Sequence, residues 1–226
     1  MVPKPYFLIS DLNPDDVNYL DGQLLDSSTG RIKLLPASVY KAIDPIHLVA
    51  WGNLRARYVF PTTELIDWLR SMIGNRKAIE IGSGNGDLGY HLGIPMTDNY
   101  CQQTPFVQML YALQRQVPTN PSPDVERLDA VDAIIKHRPH VVVGGYITQR
   151  AYLDDPVDGK SGNMFGPEEA VILERADIYI HIGNETTHGN KRIMIHPHET
   201  FQFDWLVTRS MYPDQNVIYV WDKAKR

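Results

Sequence analysis

The sequence predicts an α/β fold: a doubly wound, mainly parallel sheet finished by an antiparallel strand pair, with helices on both faces in three α/β/α layers. Three observations predict it. Short apolar runs alternate with helical patterns from residue 62 onward. The run His140-Val141-Val142-Val143 is β-branched and does not alternate with polar residues, as expected of a strand covered on both faces. Two β-rich runs follow one another near the end with only a turn between them, which predicts the antiparallel pair.

The elements follow in order. Up to residue 61 the chain carries turn signals and little periodicity: Asn13-Pro14-Asp15-Asp16, Asp21-Gly22, Ser27-Ser28-Thr29-Gly30, then Pro36, Pro45 and Pro61. Residues 1–61 therefore read as an N-terminal extension with short helices. It packs as a cap on a main domain of residues 62–226, anchored by Trp51, Leu54, Tyr58 and Phe60. Thr62 and Thr63 can cap a helix that places Leu65, Ile66, Leu69 and Ile73 on one stripe, and Gly74 stops it. Strands are predicted at Ala78–Ile81, Ile94–Asp98, Val125–Leu128, His140–Val143 and Ile178–Ile182. Helices are predicted at Asp87–Leu92, Phe106–Arg115, Ala130–Lys136 and Pro167–Arg175. Phe201–Thr208 and Asn216–Trp221 are the last two strands, on either side of Tyr212-Pro213-Asp214-Gln215. Asp154–Gly166, with Pro156, Gly159 and Gly162, reads as an exposed loop at the carboxyl edge of the sheet, where open α/β folds bind ligands.

Composition narrows the function. The 226 residues are 43% hydrophobic and 22% charged, which suits one chain able to bury a core. No apolar run approaches the ~20 residues that span a bilayer. Met1–Ser10 carries only Lys4 as a charge and no small-residue cleavage site, unlike a signal peptide. With Cys101 alone, no internal disulfide forms, and the expectation is a cytoplasmic protein without membrane contact. The net charge of −5 does not indicate nucleic acid, and Arg55-Ala56-Arg57 and Lys191-Arg192 are short enough to be solvated faces.

The strongest motif is Glu80-Ile81-Gly82-Ser83-Gly84-Asn85-Gly86, lying directly between an apolar strand and a helix. A turn this tight calls for residues without a Cβ, so that the backbone takes positive φ and approaches a ligand closely. Two readings compete. Gly84-x-Gly86-x-x-Gly89 matches a dinucleotide fingerprint, which expects an acid about 20 residues on. Asp98 follows Gly84 too early for that. The other reading uses Gly82, Gly84 and Gly86 with Glu80 ahead of them; a carboxylate there repels a pyrophosphate but suits an ammonium group. Charge favours the second.

The stretch Glu80–Gly86 resembles the first motif of class I S-adenosylmethionine-dependent methyltransferases, an acid followed by G-x-G-x-G. The resemblance covers roughly residues 62–221 and implies a Rossmann-like domain that binds S-adenosylmethionine. It implies that Glu80, Gly82, Ser83, Gly84 and Gly86 form the cofactor turn, that Asp98 holds the ribose hydroxyls, and that Asp129 and Ala130 lie beside the adenine. The end of the Val141–Tyr146 segment then faces the methyl group. A methyltransferase acting on an oxygen or nitrogen is the function implied, its acceptor unidentified. The alternatives are an NAD(P)- or nucleotide-binding oxidoreductase of Rossmann type, and a cofactor-binding protein that keeps the fold without chemistry.

Gly144-Gly145-Tyr146-Ile147-Thr148-Gln149 lacks the Pro-Pro-aromatic run of base-directed amino-methyltransferases, and Cys101 lacks the preceding proline of the cytosine C5 enzymes. Tyr146 is a catalytic candidate, placed with Thr148 and Gln149 to orient an acceptor at the sheet edge; an ordinary loop explains the same residues. After the fifth strand, His181 to Arg192 crowds ionisable residues together, and His188 is the candidate general base, with Glu185 or Asn184 positioning it. Helix capping by Asn184, Thr186 or Thr187 explains the same composition without catalysis. His181, His188, His196 and His198 cluster, but no Cys pair or H-E-x-x-H spacing accompanies them, so no metal is expected.

Overall fold

The computed structural model describes residues 13–152 and 162–225. The readings of Met1–Ser10 and of residues 154–161 in the long loop lie outside the described residues. Three short helices come first: α1 (Tyr19–Leu24), α2 (Ala37–Lys41) and α3 (Pro45–Leu54). Then α4 (Thr63–Ile73) leads into β1 (Ala78–Ile81), α5 (Asp87–Leu92), β2 (Met96–Asp98), α6 (Pro105–Leu113), β3 (Glu126–Arg127) and α7 (Ala130–His137). The chain continues through β4 (Val141–Gly145), α8 (Glu169–Arg175), β5 (Ile178–Asn184), the single turn α9 (Glu185–His188), β6 (Glu199–Phe201) and β7 (Asn216–Asp222). Among the described residues, no helix is long and apolar enough to cross a membrane.

The seven strands form one sheet in the order β3-β2-β1-β4-β5-β7-β6. Strands β1 to β5 are parallel, and β7 runs antiparallel to both β5 and β6. This is an α/β, Rossmann-like fold. The chain winds outward from β1 to β3, then restarts at β4 on the other side of β1. The switch point lies between β1 and β4, where Ile81 stands opposite Gly144, and a crevice opens beyond their carboxyl ends.

Side-chain alternation along β4 sorts the layers. Val141 and Val143 pack with Leu65, Ile66 and Leu69 of α4, whereas Val142 packs with Ala133 and Ile134 of α7 and Ile172 of α8. Thr62 fixes the start of α4 by accepting the Leu65 N–H at 3.1 Å, and Gly74 stops the helix at φ 57°. Most strand bounds shift by one or two residues from the reading, and one predicted strand is absent. β5 runs two residues beyond the apolar stretch, through Gly183 and Asn184. The run Phe201–Thr208 is not a strand: only Glu199–Phe201 pairs with β7. The alternating aromatics of that run stack on one another instead, Phe203 on Trp205 with centroids 4.2 Å apart, and pack over Trp68 of α4.

A third cluster, containing Val17, Leu20, Leu24, Ile32, Tyr40, Trp51 and Phe60, lies within the N-terminal segment. Asp87, the first residue of α5, joins it to the sheet. One carboxylate oxygen accepts the Ile32 N–H at 3.0 Å, and the other pairs with Arg57. Asn85 adds a second tie, donating to the Ala56 carbonyl at 3.0 Å and accepting the Asn120 N–H at 2.7 Å. The glycine turn is thus clamped from the N-terminal segment on one side and the 120 region on the other.

Replacing Asp87 by alanine should cost ~3 kcal/mol of stability in denaturant unfolding, because the nearly buried Arg57 loses its counter-charge. The same variant should be cut sooner by protease within residues 13–61. A loss under about 0.5 kcal/mol, the range of ordinary surface changes, would contradict this role.

Candidate functional site

A cleft of about 240 Å³ opens at the carboxyl edge, between the ends of β1, β2 and β4. Of the residues singled out from the sequence, Glu80, Gly82, Ser83, Gly84, Asp98, Asp129, Ala130 and Tyr146 line it; Gly86 and His188 do not.

The turn after β1 holds Gly82 at φ 54° and Gly84 at φ 55°, both in the left-handed region that a side chain disfavours. A Cβ on Gly82 would lie 2.3 Å from the tip of Ile147, and one on Gly84 would lie 3.0 Å from Thr119, both across the cleft. The bare backbone therefore lets the opposite walls come close. Three of its N–H donors are engaged. Ser83 N–H donates to the Thr97 carbonyl at 3.0 Å, Gly86 N–H to the Ser83 carbonyl at 2.8 Å, and Gly84 N–H to Asp98 Oδ2 at 2.9 Å. Gly86 is a correction to the cofactor set. It sits behind the turn at φ 83°, facing Val125, Arg31 and Met96, and its carbonyl accepts from Arg31. Its glycine requirement comes from that packing and from its place before α5.

Four carboxylates border the same cleft, one of them, Asp87, paired with Arg57. Asp98 accepts the Tyr100 N–H on Oδ1 at 2.7 Å as well as the Gly84 N–H, and burial pushes its carboxyl above the ordinary range. Each oxygen keeps a further lone pair. Glu80 is only 3% exposed; its Oε2 accepts the Gly89 N–H at 2.9 Å, tying β1 to α5. Burial raises its pKa to about 8, with the Asp87 and Asp98 charges adding to the rise. Asp129 caps α7 by accepting the Val131 N–H at 3.0 Å while lining the cleft. Cys101 also borders the cleft, and burial pushes its thiol up to about 11, so it is no nucleophile at neutral pH.

Both catalytic assignments change. Tyr146 follows β4 at φ 56°, its N–H bonded to the Ile182 carbonyl at 2.8 Å. Its ring borders the cleft, but its hydroxyl is bonded to Thr208 Oγ1 at 2.8 Å, and burial raises its pKa. It shapes the wall and offers no free acid or base.

His188 is fully buried, its Nδ1 accepting the Asn184 N–H at 3.0 Å. Its ring packs edge-on to His181, with centroids 4.8 Å apart. Burial, with help from the Lys191 charge, lowers its pKa to about 3. The general-base assignment is therefore withdrawn. The cause is local: Asn184 caps the single turn α9, which swings its fourth residue back under β5. Gly183 leaves room for it, since a Cβ there would lie 2.6 Å from His188 Nδ1.

The rest of the polar loop is likewise internal. Lys191 and Glu169 form a fully buried pair at 2.6 Å, joined by the Tyr179 hydroxyl at 2.8 Å. Gln149 is buried and accepts the Arg192 N–H at 2.7 Å, so it orients no acceptor; Thr148 stays on the cleft wall. His198 packs on Tyr219 and Trp221. Among the described residues, no group of three or more His, Cys, Asp or Glu is arranged to hold a metal.

Sequence reasoning missed part of the wall. Ala56–Val59 of the N-terminal segment, Tyr111 of α6 and Phe165 all border the cleft. Tyr58 stood out only as an apolar anchor. No local spacing marks these residues, because each reaches the cleft through tertiary packing.

Lys191→Met should cost ~3–5 kcal/mol in chemical denaturation, because it strands a buried carboxylate. The Lys191→Met/Glu169→Leu double variant should recover much of that loss. Additive losses would show that the pair is not coupled.

No protein-family model matches the chain, and no curated protein matches it significantly. Three solved structures are similar in shape. A candidate RNA methyltransferase of Pyrococcus horikoshii shares 14% identity at a TM-score of 0.37, over 70% of this chain and 82% of its own. A hypothetical protein of Thermus thermophilus shares 12% identity at a TM-score of 0.37, over 88% and 98% of the two chains. A protein of Thermoplasma acidophilum shares 14% identity at a TM-score of 0.34, over 81% and 92%. All three likenesses are distant.

Proposed function

We propose that the chain binds S-adenosylmethionine in the cleft at the β1–β4 switch point and transfers its methyl group to an oxygen or nitrogen of an acceptor. The observation that carries this reading is the pairing of Gly84 N–H with the Asp98 carboxylate at 2.9 Å. A phosphate-binding turn needs free N–H groups at the glycines. Here a carboxylate takes one of them, Asp129 adds a second acid to the same cleft, and Glu80 adds a third as it ionises near pH 8. That electrostatics opposes a pyrophosphate and favours a cationic ligand, which weighs against the NAD(P) alternative. The sheet is also the one that the resemblance to class I methyltransferases implies, with five parallel strands wound both ways from β1 and a closing antiparallel pair.

The residues present fit the cofactor. Gly82 and Gly84 bring bare backbone to the cleft at positive φ, Asp98 has lone pairs for two hydroxyl donors, and Asp129 with Ala130 borders the end toward β3. Glu80 suits the amino group. Bound there, S-adenosylmethionine supplies an electrophilic methyl on a sulfonium. The chain's own part is to bind, orient and exclude water: Tyr58, Tyr111 and Tyr146 wall the cleft, with the described part of the N-terminal segment, residues 13–61, acting as the cap. With no free acid or base at Tyr146 or His188, rate comes from alignment of the reacting groups. The same absence favours a second reading, a cofactor-binding protein without turnover; a methyl-transfer screen with labelled cofactor separates the two.

Three outcomes test the binding half. Asp98→Ala should weaken S-adenosylhomocysteine by ~2–4 kcal/mol, the range of two charge-assisted hydrogen bonds. Gly84→Val, in protein that remains folded by circular dichroism, should abolish binding; unchanged affinity would sink the assignment. Glu80 gives a pH signature. Its carboxyl, raised to about 8, is mostly protonated at pH 7 and must ionise to meet an ammonium group. Affinity should therefore rise from pH 6 to 8, with proton release on binding, and this dependence should vanish in Glu80→Gln. Without ligand the sign reverses: the folded state holds the proton more tightly, so stability falls as pH climbs from 4.5 toward 8.

A further inference from the structure

At the end of β4 the wall of the cleft is uncharged and aromatic. Tyr58, Tyr111 and Tyr146, each partly buried, line it together with Val59, Leu88 and Gly145. Three elements deliver the rings: Tyr58 comes from the N-terminal segment, Tyr111 from α6 and Tyr146 from the residue after β4. The Tyr58 centroid lies 5.8 Å from that of Tyr146, and its hydroxyl lies 3.2 Å from the Tyr111 hydroxyl. Val59 and Leu88 stand 3.2 and 3.4 Å from where a Cβ on Gly145 would lie, so the adjoining strand end is apolar as well.

Three phenols carry three protons, and two are spent. Thr208 donates its own proton to Asn216 Oδ1 at 2.8 Å, so the Tyr146 hydroxyl donates to Thr208. Tyr58 and Tyr111 share one hydrogen bond between two hydroxyls, and neither hydroxyl has another hydrogen-bond partner among the described residues. Each hydroxyl has one proton to give, so one of this pair is left over. The wall therefore offers three rings and a single neutral donor.

Charged molecules suit it poorly. Arg57 is the one cationic side chain on the lining among the described residues, and Asp87 takes it, while Glu80, Asp98 and Asp129 border the same cleft. An anion would meet carboxylates without a free counter-charge. A cation fares no better at the rings. The Arg209 guanidinium, which is not on the lining, covers one face of Tyr58 at 3.5 Å from its centre, leaving the other face or the edge to the cleft. That contact draws on the ring's negative face, so a second cation is disfavoured and a neutral, electron-rich ring is favoured.

We propose that the acceptor is an uncharged phenol: its ring lies against the Tyr58–Tyr111–Tyr146 wall, and the spare O–H of the Tyr58–Tyr111 pair donates to its oxygen. This rests on the methyl-transfer reading of the cleft. A phenolic oxygen has two lone pairs, one to accept that bond and one to attack, whereas an aniline nitrogen has only one for both tasks. In the step the acceptor oxygen bonds to the methyl carbon, the carbon–sulfur bond breaks with its electron pair left on sulfur, and the acceptor's proton leaves to water.

The test is a protein-observed NMR titration of the full chain, first with S-adenosylhomocysteine and then, with that ligand present, with 4-methylphenol, 4-methylcyclohexanol, 4-hydroxybenzoate and tyramine. The phenol should bind at least about fivefold more tightly than each of the other three, within the range of one aromatic or polar contact, and should shift the ring resonances of the three tyrosines. Tyr111→Leu removes a ring and should shrink the advantage over 4-methylcyclohexanol about twofold or more. The Tyr58→Phe/Tyr111→Phe double variant keeps every ring and should fold even if the leucine variant does not; without the spare proton it should bind 4-methylphenol several-fold more weakly. A smaller advantage over any of the three probes, an unchanged advantage in a folded Tyr111→Leu protein, or a double variant equal to wild type would overturn the proposal. So would displacement of S-adenosylhomocysteine by 4-methylphenol, which would put the ring in the cofactor's place. If S-adenosylhomocysteine binds and the phenol shows no preference, this inference alone fails; if the phenol binds selectively and S-adenosylhomocysteine does not bind, the methyltransferase reading fails instead.

Discussion

The hydrogen bond from Gly84 N–H to Asp98 ties the turn after β1 to the end of β2, and the rest of the carboxyl edge is built around it. It holds the backbone at Gly82 and Gly84 in the left-handed region, and it brings a negative charge where a phosphate-binding turn would present bare donors. Asp98 in turn accepts from Tyr100, so the chain leaves β2 in a fixed direction toward α6. One carboxylate thus settles the shape of the turn, the sign of the potential in the cleft and the course of one wall.

The neighbouring polar side chains, Asn85 at the end of the turn and Asp87 at the start of α5, grip the N-terminal segment from the rim of the cleft. The turn region therefore has two jobs. Gly82, Gly84 and Asp98 form one wall of the cleft, and Asn85 and Asp87 hold the segment that supplies Ala56–Val59 to the same cleft. The position of that segment and the shape of the cleft are mechanically linked through α5. Loosening Asp87 would disturb the Ala56–Val59 wall without touching the glycines.

Much of this architecture was legible in the sequence. The capped stripe of Thr62–Ile73, the apolar strands and the tight turn at Gly82 and Gly84 carry their own periodicity or stereochemistry, and the order of these elements is the one expected. Two kinds of information were missing. The alternation Phe203-x-Trp205 has the period of a strand, yet stacking on Trp68 satisfied those rings without a ladder. The ionisable residues after β5 look catalytic in one dimension because composition has no burial sign. In three dimensions Lys191 finds Glu169, and His188 folds under its own strand through the space left by Gly183.

The central claim is that this cleft is built for an adenosyl cation and not for a pyrophosphate. Isothermal titration of the unmodified chain at pH 8 with S-adenosylmethionine and, separately, with NAD tests it most directly. The account predicts saturable one-to-one binding of S-adenosylmethionine and no binding of NAD at the same concentrations. NAD binding as tightly as S-adenosylmethionine, or binding alone, would contradict it.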